Sequence, residues 1–429
     1  MTFRRILRWS SVLLSMCFSS SILASDFNTP FINVSDLGTA YAGWAAAAED
    51  ASTAYSNPAG LVKIQDYQFV LPLVGIIGGT TFSGSTTTPP FPFFFTRRET
   101  GSAHDRLEVL IPSTYFSAPV TPRLTFGWST NSPFGLGSDY GKNSLVRFLG
   151  TEGKVVVIDT GPSLGFRVTD DFSVGAGFDV HFIQFTLNNM LGPPVAFPFD
   201  AEFKNHLAGS GYGWHAGILY QFLPCMRFGA SFNSKAWLHA SGDSKLYVPL
   251  PPNVFHSGRL RADAPIPARA QFSFYYDVAP RWAVMGTVFY THWGVFDKVT
   301  LKNAVTLGGE VFTLDIPFDY HHTYDYSLGL KFRATRKLSL RTGVQYLDTP
   351  INDKFRSVVN PVGSAIILAA GLRYQSTPCV SFDLGYGHAF FKENAINLVT
   401  PLTSAVGHVK TQTNSFGVQM NWSFPNTRW

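Results

Sequence analysis

The sequence predicts an all-β protein, a 14-stranded antiparallel β-barrel that spans a membrane, preceded by a short helical segment. Three observations lead to this prediction: apolar residues alternate with small polar ones, short turns alternate with long polar connections, and charged residues are scarce. The chain of 429 residues is 15% aromatic and only 14% charged, whereas soluble domains are about 25% charged. Much of the surface is therefore predicted not to face water.

The first residues have the layout of a secretory signal peptide. Three arginines precede an apolar run that ends in small residues, in MTFRRILRWSSVLLSMCFSSSILAS. We predict residues 1–24 as the signal peptide, with cleavage after Ala24 or alternatively after Ser25. A lipoprotein signal through Cys17 is a weaker alternative, because the bulky Met16 stands where a small residue is expected. Beyond this leader, no run of about 18 or more apolar residues predicts a transmembrane helix.

Removal of the leader changes the charge balance of the chain. The mature protein keeps 30 Lys and Arg against 28 Asp and Glu, a net charge of +2 instead of the +5 of the full sequence. The basic character therefore indicates no nucleic-acid partner. Only Cys225 and Cys379 remain, which is compatible either with one periplasmic disulfide or with two free thiols.

From about residue 67 onward, hydrophobicity alternates with a period of two residues, as in β-strands. In the segment 172–182, FSVGAGFDVHF, large apolar residues alternate with Ser, Gly, Asp and His, and the pattern returns at 324–332, 338–346, 380–390 and 416–424. A soluble β-sandwich would carry many Lys and Glu on its outward face. Here the polar face is mainly Gly, Ser, Asp and Asn, which favours lipid outside the barrel and a polar lumen.

Turn lengths set the strand count. Six short connections join alternating strands into pairs: SAPVTPR, RVTDDFS, QFLPCMR, YDVAPRW, RATRKLS and YQSTPCVS. A first strand near 68–78 and a last strand at 413–424 complete fourteen, an even number that suits a closed barrel. Short turns on the periplasmic side and long loops outside are typical of outer-membrane barrels, and the barrel is predicted to cover 67–424 with a tail at 425–429. The long loops are predicted near 81–108, 132–154, 188–207, 241–266, 295–322, 350–363 and 392–410.

Residues 25–66 do not alternate. The stretch LGTAYAGWAAAAEDASTAY is rich in Ala and Gly and predicts compact helical structure. Asn57 followed by Pro58 predicts the start of a further helical turn, with Asn57 as its cap and Pro58 at its first position. From these residues alone, a capped turn in a periplasmic extension explains the pattern as well as a specialised role.

The stretch LGTAYAGWAAAAEDASTAYSNPAGL resembles the amino-terminal signature of the FadL-type family of outer-membrane transporters for long-chain fatty acids and other hydrophobic compounds. Later family segments are resembled in the same order by STNSPFGLGSDYG, GPSLGFRVTDDFSVGAGFDV, FYTHWGVFDKV and SFDLGYGHAFFKENAINL. The resemblance implies that an N-terminal hatch, residues 25–66 with the motif Asn57, Pro58 and Ala59, plugs the barrel. It also implies that ligand leaves sideways through a gap at a kinked third strand, near 123–131.

The resemblance further implies a function and a set of partners. We expect passive uptake of a long-chain fatty acid, a related lipid or an aromatic hydrocarbon by a monomer in the cell outer membrane. Membrane lipid, lipopolysaccharide and the barrel-assembly machinery are the other expected partners, without nucleic acid or cofactor. Family members typically end on the aromatic residue of the last strand, here Phe424, so the aromatic read during assembly is either Phe424 or Trp429.

Three groups of side chains are candidates for contact with such a ligand. Apolar clusters in the external loops predict docking, although packing of the loops on one another fits equally well: Phe93, Phe94, Phe95, Phe134, Leu136 and Phe197. Large apolar residues on the lumen face predict an apolar pocket or packing against the hatch: Phe185, Met285, Phe289 and Trp293. A ligand carboxylate would need a cation in a dry cavity, and strand parity offers Lys235 and Arg341.

Two other classes of function remain as alternatives. An outer-membrane lipase or esterase could use Asp179, His181, His215 or the pair His321 and His322, but no nucleophile motif accompanies them, and the protein is predicted not to be an enzyme. A surface adhesin or a general porin is the other alternative, although a porin would not need a plug. No His or Cys cluster has the sequence spacing of metal ligands, so no metal site is predicted.

Overall fold

A computed structural model describes residues 32–88, 96–192, 200–249, 254–305, 310–400 and 403–426. All twenty strand segments in this part belong to one sheet. The segments join into fourteen antiparallel strands, labelled β1 to β14. The first and last strands pair from Tyr67 opposite Phe424 to Thr87 opposite Ser404, which closes the sheet into a barrel. The prediction of a 14-stranded antiparallel barrel is confirmed.

The first seven strands contain nine segments. They are β1 Tyr67–Thr88, β2 Arg97–Pro112 and Thr114–Thr121, β3 Leu124–Asp139, β4 Glu152–Arg167, β5 Phe172–Leu191, β6 Ala201–Leu223, and β7 Met226–Asn233 and Ala236–Tyr247.

The other seven strands complete the barrel. They are β8 Val254–Ile266 and Arg269–Ala279, β9 Trp282–Thr291 and Lys298–Val305, β10 Val311–Pro317 and Thr323–Arg333, β11 Leu338–Leu347, β12 Ala365–Thr377, β13 Val380–Phe391 and Asn394–Val399, and β14 Ser404–Phe424. Short helices occupy Val34–Leu37, Thr53–Ser56, Pro58–Lys63, Trp293–Val295 and Asp353–Phe355. No helix in the described ranges is both long and apolar enough to span a membrane.

The two faces of the strands differ as the alternation predicts. On β5, Phe178 and Phe182 are each 49% exposed on the outer face, whereas the intervening Asp179 and His181 are buried inside the barrel. Apolar side chains of other strands, among them Trp214, Phe272 and Leu328, are likewise exposed. Because apolar side chains cover the outside and polar ones line the inside, the barrel has the sidedness of a lipid-embedded protein.

The six predicted short turns are present, but most of the predicted long loops are wrong. Residues 81–88 and 97–108, predicted as loop, continue β1 and β2 as a regular antiparallel ladder. The ranges 241–266 and 295–322 are also largely strand. Above the lipid both faces of a strand can be polar, so alternation disappears while backbone pairing persists. Sequence periodicity therefore marked only the membrane-embedded part of each strand.

Residues 32–66, the N-terminal segment, lie inside the barrel and are mostly buried. The expected helix over the alanine-rich stretch is wrong, because residues 43–48 form no helix and Ala40 and Tyr41 have φ values of 51° and 63°. The barrel wall supplies the missing acceptor: the backbone N–H groups of Gly43 and Trp44 donate to Oγ1 of Thr287 on β9, at 2.9 and 3.2 Å. These bonds satisfy the backbone without a helix.

Both cysteines of the mature chain are free thiols beside periplasmic turns. Of the two alternatives left open by the sequence, two free thiols is therefore the one observed. The predicted signal peptide at 1–24, together with Cys17, lies outside the described residues, as does Trp429. The last strand ends at Phe424, as expected.

Candidate ligand-binding site

The motif Asn57, Pro58 and Ala59 joins the N-terminal segment to the barrel wall. As predicted, Asn57 caps the helical turn that starts at Pro58, and its side-chain oxygen accepts from the Ala59 N–H at 3.1 Å. The Asn57 side-chain amide also donates to the carbonyl of Ala45 at 2.6 Å and to that of Ile218 on β6 at 2.9 Å. One buried side chain therefore caps a turn, folds the segment on itself and ties it to the wall.

Two wall glycines allow this close approach. A Cβ atom at Gly175 on β5 would lie 2.3 Å from the carbonyl carbon of Pro58, and one at Gly217 on β6 would lie 2.1 Å from Asn57 Oδ1. Both distances are too short for any side chain larger than hydrogen. The polar-face glycines of these strands therefore form the surface on which the motif rests.

A buried ion-pair network holds the other side of the N-terminal segment. Glu49 lies 2.6 Å from Lys331 on β10 and also pairs with Arg341 on β11, while Asp50 accepts from Arg373 on β12 at 2.8 Å. Burial alone would raise the pKa of Glu49, but the surrounding Arg and Lys charges lower that pKa well below its ordinary value. Glu49 is therefore held as a carboxylate.

Neither predicted carboxylate-binding cation is available to a ligand. Arg341 is buried and paired with both Glu49 and Asp383, so its charge anchors the N-terminal segment. Lys235 is exposed on the outer face, with its Nζ 4.7 Å from the ring centre of the exposed Trp237. Strand parity failed for Lys235 because it lies in the break between the two segments of β7, where the alternation shifts. Lys235 therefore lies outside the predicted lumen site, whereas Arg341 lies inside the barrel but is already paired, and its contact with a ligand stays a prediction.

An internal cavity of about 20 Å³ lies between the N-terminal segment and the wall, with room for roughly one water molecule. Apolar and aromatic side chains form one part of its lining and polar side chains the other. Its residues are Ile32, Trp44, Tyr55, Pro133, Arg269, Gln271, Phe289, Asp325, Gln345 and Leu347. Because the first three belong to the N-terminal segment, that segment forms one side of the cavity.

Arg269 is the cation of this cavity, and the sequence prediction missed it. Its side chain is buried, donates a hydrogen bond to the Tyr55 hydroxyl, and lies with its guanidinium carbon 4.9 Å from the ring centre of Phe134. Parity could have found it, because Arg269, Gln271 and Ser273 alternate with apolar residues on β8. It was overlooked because it closely follows a range predicted as loop.

The third strand is interrupted next to this cavity. β3 pairs with β2 only as far as Thr130, and its register with β4 shifts between Asn131 and Phe134. Two residues, Ser132 and Pro133, therefore lie opposite one residue of β4, which is a β-bulge, and Pro133 has no N–H to donate. Because Pro133 lines the cavity, the bulge and the cavity are adjacent.

The predicted position of the gap is displaced by this finding. Most of the range 123–131 is regularly paired, since residues 124–130 form ladders with both β2 and β4. Beyond Thr130, the described residues of β2 and β3 form no backbone ladder, although the Asp139 N–H donates to Asp105 Oδ1 at 2.6 Å. The separation of these strands therefore starts at the end of the predicted range.

The lumen residues predicted to bind ligand fall into two places. Met285 packs against Gly43 of the N-terminal segment, and Phe289 lines the cavity with its ring centre 5.9 Å from that of Trp44. Phe185 and Trp293 belong to a buried apolar cluster in the outer half of the lumen. Contact of these four residues with a ligand stays a prediction.

The predicted docking residues lie mostly beyond what can be described. Phe93, Phe94, Phe95 and Phe197 lie outside the described residues, as does the side chain of Leu136. Phe134 is buried in the lumen, with its ring centre 6.5 Å from that of Trp293. Its assignment to an exposed docking surface is therefore wrong, because the β3 bulge turns it inward.

The sequence model of the family described as outer membrane protein transport protein (OMPP1/FadL/TodX) matches residues 15–424. The chain belongs to this family. Among relatives of this OMPP1/FadL/TodX protein, Outer membrane protein P1 of Haemophilus influenzae is 26% identical over 94% of this chain and 95% of its own. The long-chain fatty acid transport protein of Salmonella typhi is 25% identical over 90% of this chain and 91% of its own.

Solved structures support the same fold for this OMPP1/FadL/TodX family member. A Pseudomonas aeruginosa FadL homologue superposes with a TM-score of 0.82 at 21% identity, covering 93% of this chain and 100% of its own. The Pseudomonas putida toluene transporter TodX superposes with a TM-score of 0.71 at 14% identity, covering 93% and 99%. The family member is accordingly a β-barrel protein of the outer membrane.

Proposed function

We propose that this protein carries hydrophobic compounds passively across the outer membrane, by binding them in the barrel and releasing them sideways at β3. The observation that carries the proposal is that Pro133, in the β3 bulge, lines the same cavity as Trp44 of the N-terminal segment and Phe289 of the wall. A ligand bound there would lie beside the interrupted strand. Relatives named as fatty acid and toluene transporters support this class of ligand.

The cavity must enlarge to hold such a ligand. At about 20 Å³ it is far below the roughly 300 Å³ of a small-molecule pocket. Movement of the N-terminal segment would enlarge it, because Ile32, Trp44 and Tyr55 form one side. A ligand that binds the displaced conformation more tightly shifts the population towards it, with no energy source beyond the ligand gradient.

The chemistry of the lining favours an amphipathic anion over a plain hydrocarbon. Arg269 is a buried cation at the cavity, and its partner Tyr55 belongs to the segment that would move. Once Tyr55 leaves, a ligand carboxylate can take its place with a charge-assisted hydrogen bond. Trp44 and Phe289 would then contact the apolar chain of the ligand. An aromatic hydrocarbon would use only these aromatic contacts.

The arrangement of buried groups supports a transporter over an enzyme. His215 and Asp179 form a pair, with His215 Nδ1 2.8 Å from a carboxylate oxygen, as in a hydrolase triad. The other ring nitrogen, Nε2, lies 2.9 Å from the carbonyl oxygen of Ala54, where a nucleophilic hydroxyl would be needed. The pair therefore binds the N-terminal segment instead of activating a serine.

Uptake measurements test the proposed function. Cells that lack their own transporter and express the protein should accumulate radiolabelled oleate or toluene faster than cells with the empty vector. A matched hydrophilic solute of similar size should enter no faster. Equal uptake of the hydrophilic solute would instead indicate a general porin, and hydrolysis of an added ester by the purified protein would indicate an enzyme.

A further inference from the structure

A cluster of buried charged and polar groups lies on the lumen face of β4 and β5. Asp159, Asp179 and His181 are 2%, 2% and 5% exposed, and one possible ligand atom from each lies within 4.8 Å of the others. Asp159 and His181 are cross-strand neighbours, and Asp179 precedes His181 by two residues on the same face. Strand pairing therefore brings together side chains that are scattered in the sequence.

One of the two carboxylates already has a cation. His215 faces Asp179 with Nδ1 and the Ala54 carbonyl with Nε2. Because both partners are hydrogen-bond acceptors, both ring nitrogens must carry protons, which makes His215 a cation. The pair of His215 and Asp179 is therefore neutral as a unit.

Asp159 lacks such a partner among the described residues. Its Oδ1 atom is buried without a hydrogen bond, and the contact of its Oδ2 with His181 Nδ1, at 3.2 Å, lacks hydrogen-bond geometry. His181 Nδ1 is likewise buried without a hydrogen bond. A buried carboxylate without compensation is costly, so these two facing groups indicate that a cation belongs between them.

Asn131 provides a second, independent observation. It lies directly opposite Asp159 in the ladder between β3 and β4 and is 0% exposed. Both the oxygen and the nitrogen of its side-chain amide are buried without a hydrogen-bond partner in the described part of the chain. Directly paired residues have Cβ atoms about 5 Å apart, so this unsatisfied amide borders the cluster. Buried polar groups are rarely left unpaired without a missing water or ion.

We propose that Asp159, Asp179, His181 and the side-chain oxygen of Asn131 form a binding site for one divalent transition-metal ion. Two carboxylates, an imidazole and an amide oxygen suit an ion such as Zn²⁺ or Mn²⁺ better than the all-oxygen preference of Ca²⁺. The ion would supply the positive charge that Asp159 lacks and the bonding partner that the buried polar atoms of His181 and Asn131 lack. Sequence spacing gave no sign of the site, because its ligands come from three strands.

The position of the site suggests what the ion does. Asn131 is where β3 loses its ladder with β2 and enters the bulge. An ion held between Asn131 and the carboxylates would fix the start of the bulge to β4 and β5, which remain paired. This role is structural, so the site can be tested without any transport measurement.

Metal analysis of the full mature chain tests the proposal. The protein is refolded into detergent with EDTA, dialysed against micromolar Zn²⁺ and then metal-free buffer, and its bound zinc is measured by mass spectrometry. One ion per chain is expected for the wild type. Asp159→Asn and His181→Gln should each weaken Zn²⁺ binding about tenfold or more. Less than a tenth of an ion per wild-type chain would overturn the proposal.

Two controls separate this site from adventitious surface binding. His239→Gln removes an exposed histidine that is 2.7 Å from Asp263, and the double variant His292→Ala and His322→Ala removes an exposed pair with ring centres 4.4 Å apart. Neither change should reduce the bound zinc, and loss of zinc in either would refute the site. If the Asp159 or His181 variant does not fold, pulsed EPR of the Cu²⁺-loaded wild type decides: a directly coordinated imidazole nitrogen together with retention in both control variants supports the site, and its absence overturns it.

Discussion

The Nζ atom of Lys331 lies 2.6 Å from Oε1 of Glu49, which makes a wall residue the partner of a carboxylate on the N-terminal segment. Glu49 also binds Arg341 and lies 3.6 Å from Arg373, so one carboxylate compensates cations on three neighbouring strands. Breaking a buried ion pair on one side typically costs about 3–5 kcal/mol, because the remaining charge stays buried. Glu49 is therefore the residue whose loss should loosen the segment most.

Replacing Glu49 by glutamine is expected to unseat the N-terminal segment while the barrel stays closed. Without the carboxylate, the cations of Lys331 and Arg341 repel one another in a dry interior. Single-channel recordings in planar bilayers should show frequent openings in Glu49→Gln that the wild type lacks. Glu108→Gln, which removes only an exposed partner of Arg106, should behave like the wild type. The absence of such channel openings in Glu49→Gln would contradict this anchoring role.

Asp36 should make the seating of the N-terminal segment depend on pH. Burial, opposed by a hydrogen bond from Asn33, raises the pKa of Asp36 from 3.8 to about 7. A raised pKa favours the protonated folded state, so this stabilisation is complete below about pH 4 and is lost as pH rises through 7. Thermal unfolding should therefore show a smaller difference between pH 5 and pH 8 for Asp36→Asn than for the wild type. The exposed Asp243→Asn serves as control and should keep the wild-type difference.

A side chain at Gly175 should displace the motif of Asn57, Pro58 and Ala59. A Cβ atom there would lie 2.3 Å from the carbonyl carbon of Pro58 and 2.4 Å from the Ala59 nitrogen. Gly175→Val is expected to lower the free energy of unfolding by about 1–3 kcal/mol, the usual cost of overpacking. Gly258→Val, where a Cβ atom meets nothing within 4 Å, is the matched strand control. Urea denaturation should separate the two variants, and equal midpoints would refute the close packing.

Arg269→Met should distinguish an anionic ligand from a hydrocarbon. Methionine keeps the apolar stem but removes the charge, so binding of a fatty acid should weaken about tenfold to a hundredfold, as expected for a hydrogen bond to a charged group. Binding of toluene should be unchanged. Lys235→Met, which removes an outward-facing cation, should alter neither affinity. Titration with a fluorescent fatty acid measures the affinity for the fatty acid, and its competition by toluene measures the affinity for toluene. An unaltered fatty acid affinity in Arg269→Met would exclude Arg269 as the carboxylate partner.

Deleting Pro133 should test release at β3. The deletion removes the extra residue of the bulge, so Ser132 faces Ile158 and the ladder with β4 becomes regular. Binding in detergent should persist, while uptake by cells should fall about tenfold or more because the strand closes. Deletion of Gly258 removes a comparable one-residue irregularity on β8, between Ser257 and Leu260, and should leave uptake unchanged. Normal uptake after deletion of Pro133 would rule out the lateral route.

The barrel could be predicted well from the sequence because the features that define it, alternation and turns, are local in the chain. Alternation such as that around Phe178 and Asp179 reports directly on which face meets lipid, and six turn sequences are enough to count strands. Strand extensions above the membrane, such as residues 97–108, leave no such pattern because neither of their faces needs to be apolar. The length of β2 was therefore beyond a pattern-based prediction.

The interior was harder to predict because its contacts join distant parts of the chain. Arg341 and Lys235 look alike on parity, yet one is buried in ion pairs with Glu49 and Asp383 and the other lies on the outer surface. Asn57 was placed correctly because capping is local. The alanine-rich stretch was misassigned because its acceptor, Thr287, is a wall residue more than 200 positions away, which no helix propensity can report.

The contact between Val34 and the final strand has a consequence for biogenesis. The Val34 N–H donates to the Gln419 side chain at 2.8 Å, and Gln419 lies on the strand whose pairing with β1 seals the cylinder. The docking surface for the amino terminus is therefore incomplete until the carboxy-terminal strand has been synthesised, exported and paired with β1. In a newly made chain, the amino-terminal residues therefore cannot dock completely before the last strand is in place. A fully docked amino terminus shows that assembly of the barrel has finished.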